Sequence, residues 1–416
     1  MLTVDDAVAR ILADVPRAPA ETVPLAEAFG RVLAEDLDAD VDVPPFANSA
    51  MDGYAVRAAD LAGAPRSLRI VGVIAAGMPP EPAIGPGEAV AIMTGAPVPP
   101  GADAVVMVED TDRSMAGAVE IRVQAAVHQH VRDAGSDIRR GTRLLTRGDR
   151  LGPASVGLVA SIGRPTVAVA RRPVVAILTT GDEVVPAGNP LRPGQIWSSN
   201  NIALVGAALE AGAVPRDHGI VADDLEATVA ALEAALEAAD ALVTTGGVSV
   251  GEFDFVKEAH ARIGAKVDFW KVAMKPGKPL AFGRVERGGR SIPLFGLPGN
   301  PVSCLVNFAQ FVRPWIRTSL GDPRPFLPVI DAVALEDLQE APGRARLHRV
   351  RLERHGAGFG ARNAGSQSSG ALTGFARSHG LLLVAATDRG PRAGEPCRVQ
   401  LLDGGFLAGE APEYGW

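Results

Sequence analysis

Thr244-Thr-Gly-Gly-Val-Ser-Val-Gly-Glu-Phe-Asp-Phe255 is the stretch whose reading decides the fold of this chain. Before it, Asp240-Ala-Leu-Val243 is a short apolar run of strand length, and residues 256–263 place apolar side chains at helical spacing. The stretch therefore reads as a strand, a glycine loop and a helix start. Gly246 and Gly247 let the backbone turn sharply and approach a ligand, while free amides at the following helix start favour an oxyanion such as phosphate. Glu252 and Asp254 occupy the same loop. Carboxylates repel a bound phosphate unless a divalent cation lies between them, so the simplest chemistry is a magnesium-bridged phosphate site. A lone loop of this kind is better read as a tight turn whose acids cap a helix. Here the arrangement recurs.

Thr179-Thr-Gly-Asp-Glu183 and Gly296-Leu-Pro-Gly-Asn-Pro301 also follow apolar strands, and the first again joins Thr-Thr-Gly to acids. Between residues 173 and 322 strand-like and helix-like runs alternate, the last being a long apolar helix over residues 302–320. The pattern predicts a three-layer α/β domain with a largely parallel sheet, whose ligands bind at the carboxyl ends of strands, where all three loops fall. The run Trp270-Lys-Val-Ala-Met-Lys-Pro-Gly-Lys-Pro279, read as a strand, puts Lys271 and Lys275 on one face, with Lys278 nearby. These lysines sit among prolines and aromatics rather than in a polar surface run, which favours a site over plain solvation.

Outward from this domain the pattern changes twice. Residues 3–15 form an amphipathic helix with a capping start, and residues 68–127 are short β-like runs cut by Gly and Pro. Residues 153–162 return to helix, so the β region is read as an insertion. Past residue 323 alternating runs predict a separate C-terminal β-domain; its loop Gly365-Ser-Gln-Ser-Ser-Gly370 reads as a flexible surface turn, with the alternative of anion contact. The histidines His128, His130, His218 and His260 are read as surface residues.

The 416 residues are too many for one core, and 47% apolar with 21% charged residues is the composition of a soluble globular protein. A net charge of -7 argues against nucleic acid as the main partner. Only Cys304 and Cys397 are present, which supports neither a disulfide framework nor a thiolate metal site and points to a reducing compartment. No signal peptide and no membrane-spanning window is read, so the expected address is cytoplasmic, without membrane association.

Taken together, six segments resemble the molybdopterin molybdenumtransferase family, which includes the E domain of gephyrin. They are Pro44-Pro-Phe-Ala-Asn-Ser-Ala-Met-Asp-Gly-Tyr-Ala-Val-Arg57, Ile92-Met-Thr-Gly-Ala-Pro-Val-Pro99, Thr180-Gly-Asp-Glu183, residues 245–255, Lys275-Pro-Gly-Lys-Pro279 and Leu297-Pro-Gly-Asn-Pro-Val-Ser303, in the family's order. The resemblance implies a multidomain α/β and β protein. Its parts are a discontinuous N-terminal linker domain (1–44 plus 138–172), an inserted β-domain (45–137), an α/β molybdopterin-binding domain (173–322) and a C-terminal β-barrel (323–416). It also implies a homodimer, in which the inserted domain of one subunit faces the α/β domain of the other. Molybdopterin adenylyltransferase and molybdenum-enzyme apoproteins are further partners of the kind it suggests.

The activity implied is insertion of molybdate into adenylylated molybdopterin, with magnesium and release of AMP. Asp182, Glu183 and Asp254 would hold the metal, and Lys271 and Lys275 would be counter-charges for the oxyanion. The implied catalytic set is Asp52, Asp137, Glu183, Asp254, Lys271 and Lys275. The implied ligand-binding set is Thr94, Gly181, Asp182, Asp224, Gly246, Gly247, Ser249, Gly251, Lys278, Pro298, Gly299, Asn300, Pro301 and Ser368. Whether Asp223 or Asp224 faces the site stays open, as does molybdate against tungstate. Two other functions compete: adenylylation of molybdopterin, for which the α/β domain alone would suffice, and a non-catalytic scaffold, which would tolerate loss of Asp254, Lys271 or Lys275.

Overall fold

The computed structural model describes residues 1–247 and 255–407. Its central sheet has six strands in the order Val214–Val221, Val174–Thr180, Ala241–Thr245, Arg290–Leu297, Pro279–Arg287 and Lys266–Lys271. Five of the six run in one direction, and only Pro279–Arg287 runs against its two neighbours. The sheet is therefore largely parallel, as expected, with one antiparallel strand. The cause is local: Gly288 and Gly289, with φ of +56° and +75°, join two strands in register from Arg287 against Arg290. Two residues with positive φ make a hairpin turn, whereas a parallel neighbour needs a long crossover.

Alternate residues of these strands enter two cores. Val175, Ile177, Val243, Phe282 and Phe295 pack with helix Asn200–Ala211, the C-terminal helices of the domain and the N-terminal helix Val4–Leu12. Ala176, Leu178, Leu242, Val285 and Leu294 pack with helices Leu225–Leu236 and Phe255–Arg262. Three layers result. The Val4–Leu12 helix starts on a capping box of Thr3 and Asp6 and buries Ala7 and Ile11. The single helix expected over residues 302–320 is instead Pro301–Asn307, a π-helical turn Phe308–Val312, and Arg313–Leu320. Pro314 has no N–H to give and its ring crowds the carbonyl four residues earlier, so the preceding turn widens.

His260 is not a surface residue. It is fully buried on helix Phe255–Arg262, beside Val256, Ala259 and Ile263, and stacks on Trp270 with ring centroids 6.2 Å apart. His218 and His128 are exposed, the latter with Nδ1 3.5 Å from Asp133 Oδ1, and His130 is half-buried.

The inserted region is a six-stranded sheet in the order Ala104–Met107, Gly53–Val56, Glu88–Ile92, Arg66–Ile74, Ala118–Ile121, Thr111–Asp112. The chain on either side of it closes on itself. Ala20–Pro24 pairs with Thr166–Ala170, Leu37–Asp38 with Arg143–Leu145, and Val43 bridges Ile138. One core, including Val23, Leu33, Leu37, Leu151 and Val159, joins the two segments. At the C-terminal end Val329–Ala334, Ala345–His355, Gly358–Asn363, Gly380–Val384 and Pro396–Leu401 pair in a closed ring of five strands. A sixth short strand, Met274–Lys275, comes from the α/β domain and lies parallel to Ala345–His355.

Candidate functional site

Three parallel strands of the central sheet end together at a cleft of 440 Å³. Among the residues lining it are Thr180, Gly181, Glu183, Asp223, Thr245, Gly246, Gly247 and Pro298 to Pro301. The glycines are required by proximity. Gly246 has a φ of +95°, and a Cβ there would lie 2.4 Å from the Thr180 carbonyl oxygen. Thr180 Oγ1 is buried beneath the two glycines and has no hydrogen-bond partner among the described residues.

A buried clamp holds the loops together. Asn200 Nδ2 donates to Thr245 Oγ1 at 2.9 Å and to the Gly299 carbonyl at 2.8 Å, and Thr245 Oγ1 donates to the Pro298 carbonyl at 3.1 Å. Cys304 Sγ lies 3.6 Å from the same hydroxyl, and burial pushes this thiol up to about 12. Cys304 is therefore a packing group and not a nucleophile. Neither Asn200 nor Thr245 stood out as a site residue in the sequence; the available signal was an Asn opening a helix directly after two serines.

The adjacent aspartates divide their work. Asp223 lines the cleft, and it exchanges bonds with Asp182: Asp223 N donates to Asp182 Oδ1 at 3.0 Å, and Asp182 N to Asp223 Oδ2 at 3.4 Å. Asp224 instead caps helix Leu225–Leu236, accepting from Ala227 N at 2.8 Å. Of the two aspartates between which the sequence left the choice open, Asp223 is the one at the cleft, because the carboxylate at the cap position is taken by the helix's own amides. Glu183 and Asp223 are two carboxylates at one cleft, a donor set that suits a hard divalent cation such as magnesium. Ser249, Gly251 and Asp254 lie outside the described residues. Among the described residues no three His, Cys, Asp or Glu side chains form a metal-sized group.

A second cleft, of 580 Å³, lies between the α/β domain and the barrel. Lys275, Lys278 and Arg344 line it with Ser303, Gln367, Ser368 and Ser369. Among the described residues no acid lines this cleft directly. Pro279 and Asn300 line both clefts, so the two adjoin. The serine loop is anchored rather than loose: the buried Arg349 donates through Nη2 to the carbonyls of Ser366 at 2.8 Å and Ser368 at 3.1 Å. Gln367 also exchanges hydrogen bonds with the Arg349 backbone. Burial holds the Arg349 guanidinium below its ordinary value.

Lys271 and Lys275 do not share a strand. Lys271 ends the edge strand of the central sheet, whereas Lys275 belongs to the barrel's sheet. In the short connection between the two strands Val272 bridges Leu2, and Ala273 N donates to the Leu2 carbonyl. Lys275 meets Lys278 and Arg344 instead. Asp52, Thr94 and Asp137 are exposed on the inserted side of the chain and line neither cleft.

Three family models cover the chain: MoeA N-terminal region (domain I and II) over residues 2–163, a probable molybdopterin binding domain over 176–318, and MoeA C-terminal region (domain IV) over 331–402. A molybdopterin molybdenumtransferase of Bacillus subtilis is 36% identical over 408 residues, 96% of this chain and 94% of the relative. Molybdopterin molybdenumtransferase 2 of Mycobacterium tuberculosis is 40% identical over 383 residues, 90% and 93% of the two chains. A crystal structure of a molybdopterin biosynthesis MoeA protein from Pyrococcus horikosii superposes with a TM-score of 0.83 at 34% identity, covering 97% of this chain and 100% of that one. With three family models in order and relatives matched over nearly their full length, the chain belongs to the molybdopterin molybdenumtransferase family.

Proposed function

We propose that this protein inserts molybdate into adenylylated molybdopterin and releases AMP. The observation that carries this reading is the junction at Pro279 and Asn300. There a glycine-loop cleft with carboxylates adjoins a cleft with three cationic side chains and serines. The first suits a phosphoanhydride, the second a tetrahedral oxyanion. Magnesium, when bound, would spread the negative charge of the cleaved phosphoanhydride, with Glu183, Asp182 or Asp223, and Asp254 as its holders. The clamp of Asn200 and Thr245 keeps the Gly246 and Gly299 loops in place around the substrate. Lys275, Lys278 and Arg344 hold molybdate beside it, and Ser368 supplies a hydroxyl.

We further infer that the working unit is a homodimer. Asp52 and Thr94 are exposed away from both clefts, and Phe46, Met51 and Met93 beside them in sequence are exposed as well. A partner subunit covering this face would bring the pair to a cleft and remove the apolar side chains from water. The cytoplasm is the compartment this reading calls for; no helix among the described residues is long and apolar enough to cross a membrane.

The decisive assay supplies purified protein with adenylylated molybdopterin, magnesium, and either molybdate or tungstate, and follows AMP. AMP release that requires both oxyanion and metal is the expected result. Adenylylation of molybdopterin from ATP, without oxyanion-dependent AMP release, would overturn it in favour of the preceding reaction.

A further inference from the structure

The cationic cleft carries a counter-ion that the sequence did not single out. Lys275 Nζ lies 2.6 Å from Glu340 Oε2, and Glu340 Oε1 lies 3.8 Å from His348 Nε2. Glu340 sits 65 residues from Lys275, in the connection leading into barrel strand Ala345–His355.

This contact is built from both sides. The Glu340 carbonyl accepts from Arg346 Nη1 at 3.1 Å, and its N–H donates to the Arg389 carbonyl at 2.8 Å, so its backbone is held. Lys275 is held by strand pairing directly opposite Arg346. The same arginine position thus orders both partners. Lys278 and Arg344, the other cations of the cleft, have no carboxylate partner among the described residues. Lys275 alone is already neutralised in the absence of an oxyanion. The Glu340 carboxyl lies below its ordinary value, chiefly through its hydrogen bond from Lys275, so it is a charged competitor at neutral pH.

We propose that Glu340 sets the oxyanion affinity of the cleft, acting as a resident competitor for Lys275 that an incoming tetrahedral dianion displaces. This rests on the reading of the cationic cleft as the molybdate site. The exchange cost is the same for any anion, whereas the attraction to Lys275 doubles from a monoanion to a dianion. A monoanion gives Lys275 no more than Glu340 already gives; a dianion gains. With 32% of its side chain exposed, Glu340 returns to water on release instead of being stranded as a buried charge. Glu340 is thus a positioning and selectivity residue that acts through Lys275.

The test is a double-mutant cycle on molybdate binding by equilibrium dialysis, using the full-length wild type, Glu340→Gln, Lys275→Ala and the double variant. Glu340→Gln keeps the backbone hydrogen bonds and removes the competing charge, so molybdate should bind roughly three- to tenfold more tightly. Structural damage would not produce a gain in affinity. Lys275→Ala should weaken binding, and in that background Glu340→Gln should have no further effect. Unchanged or weaker binding by Glu340→Gln overturns the proposal, as does an equal gain with and without Lys275. Wild-type protein that binds no molybdate overturns both this and the functional reading; wild-type binding with an unresponsive Glu340→Gln overturns this one alone.

Discussion

Asp52 Oδ1 accepts two hydrogen bonds from Thr94, one from its backbone N–H at 2.6 Å and one from its hydroxyl at 2.8 Å. The two residues are 42 positions apart and both are exposed. The bonds from Thr94 hold the Asp52 carboxyl below the usual carboxylate value. An exposed acid gains little stability from such a pair, so the bonds fix the direction of the carboxylate rather than hold the fold.

Thr94→Val should therefore leave folding intact and raise the Asp52 carboxyl only part of the way toward its ordinary value, since the hydroxyl bond is lost while the larger cause, the bond from the backbone N–H of residue 94, remains. Carboxyl carbon NMR across acidic pH reads the titration, and calorimetry the melting temperature. AMP release should fall in the same variant. An unmoved Asp52 titration would show that the hydroxyl bond does not exist in solution.

The Asn200 clamp predicts a coupled effect on stability and binding. Asn200→Ala removes two buried hydrogen bonds and leaves the Gly299 carbonyl without this donor. The cost should be roughly 2 kcal/mol in urea unfolding. The half-saturating concentration of adenylylated molybdopterin should rise as the Gly246 and Gly299 loops lose their common anchor. Thr245→Ser keeps the hydroxyl and should bind like wild type. If Asn200→Ala unfolds earlier but binds its ligand normally, the clamp is structural only.

His260 predicts an acid limit on stability. Burial lowers its value from 6.5 to about 4, and neither ring nitrogen has a partner among the described residues. Between those values the unfolded chain takes up a proton that the folded chain refuses. Stability from this group is therefore intact above about pH 6.5 and is lost as pH falls toward 4, by roughly 3 kcal/mol in all. Urea midpoints measured from pH 7 to 4 should fall less steeply for His260→Phe than for wild type. Parallel slopes would mean that the ring reaches water.

The sequence by itself determined what depends on near neighbours. Thr3 and Asp6 announce a helix start, the Thr-Thr-Gly runs announce strand ends, and the alternating runs after residue 323 announce a β-domain, because capping, turn conformation and side-chain period are settled within a few residues. The composition of the cleft was legible to that extent: Gly246, Gly181, Glu183 and the 298–301 loop came together as their strand ends required. Only the tertiary structure decided which of two adjacent aspartates lines the cleft, since Asp224 is claimed by the amide of Ala227 and Asp223 is not. It separated Lys271 from Lys275 by passing the chain between two sheets, and it supplied Arg344 and Glu340 from a loop some 65 residues further on. It also buried His260, whose helical face is apolar apart from the ring itself. These outcomes turn on how finished elements dock, and docking brings together charges and hydroxyls whose separation along the chain carries no local period.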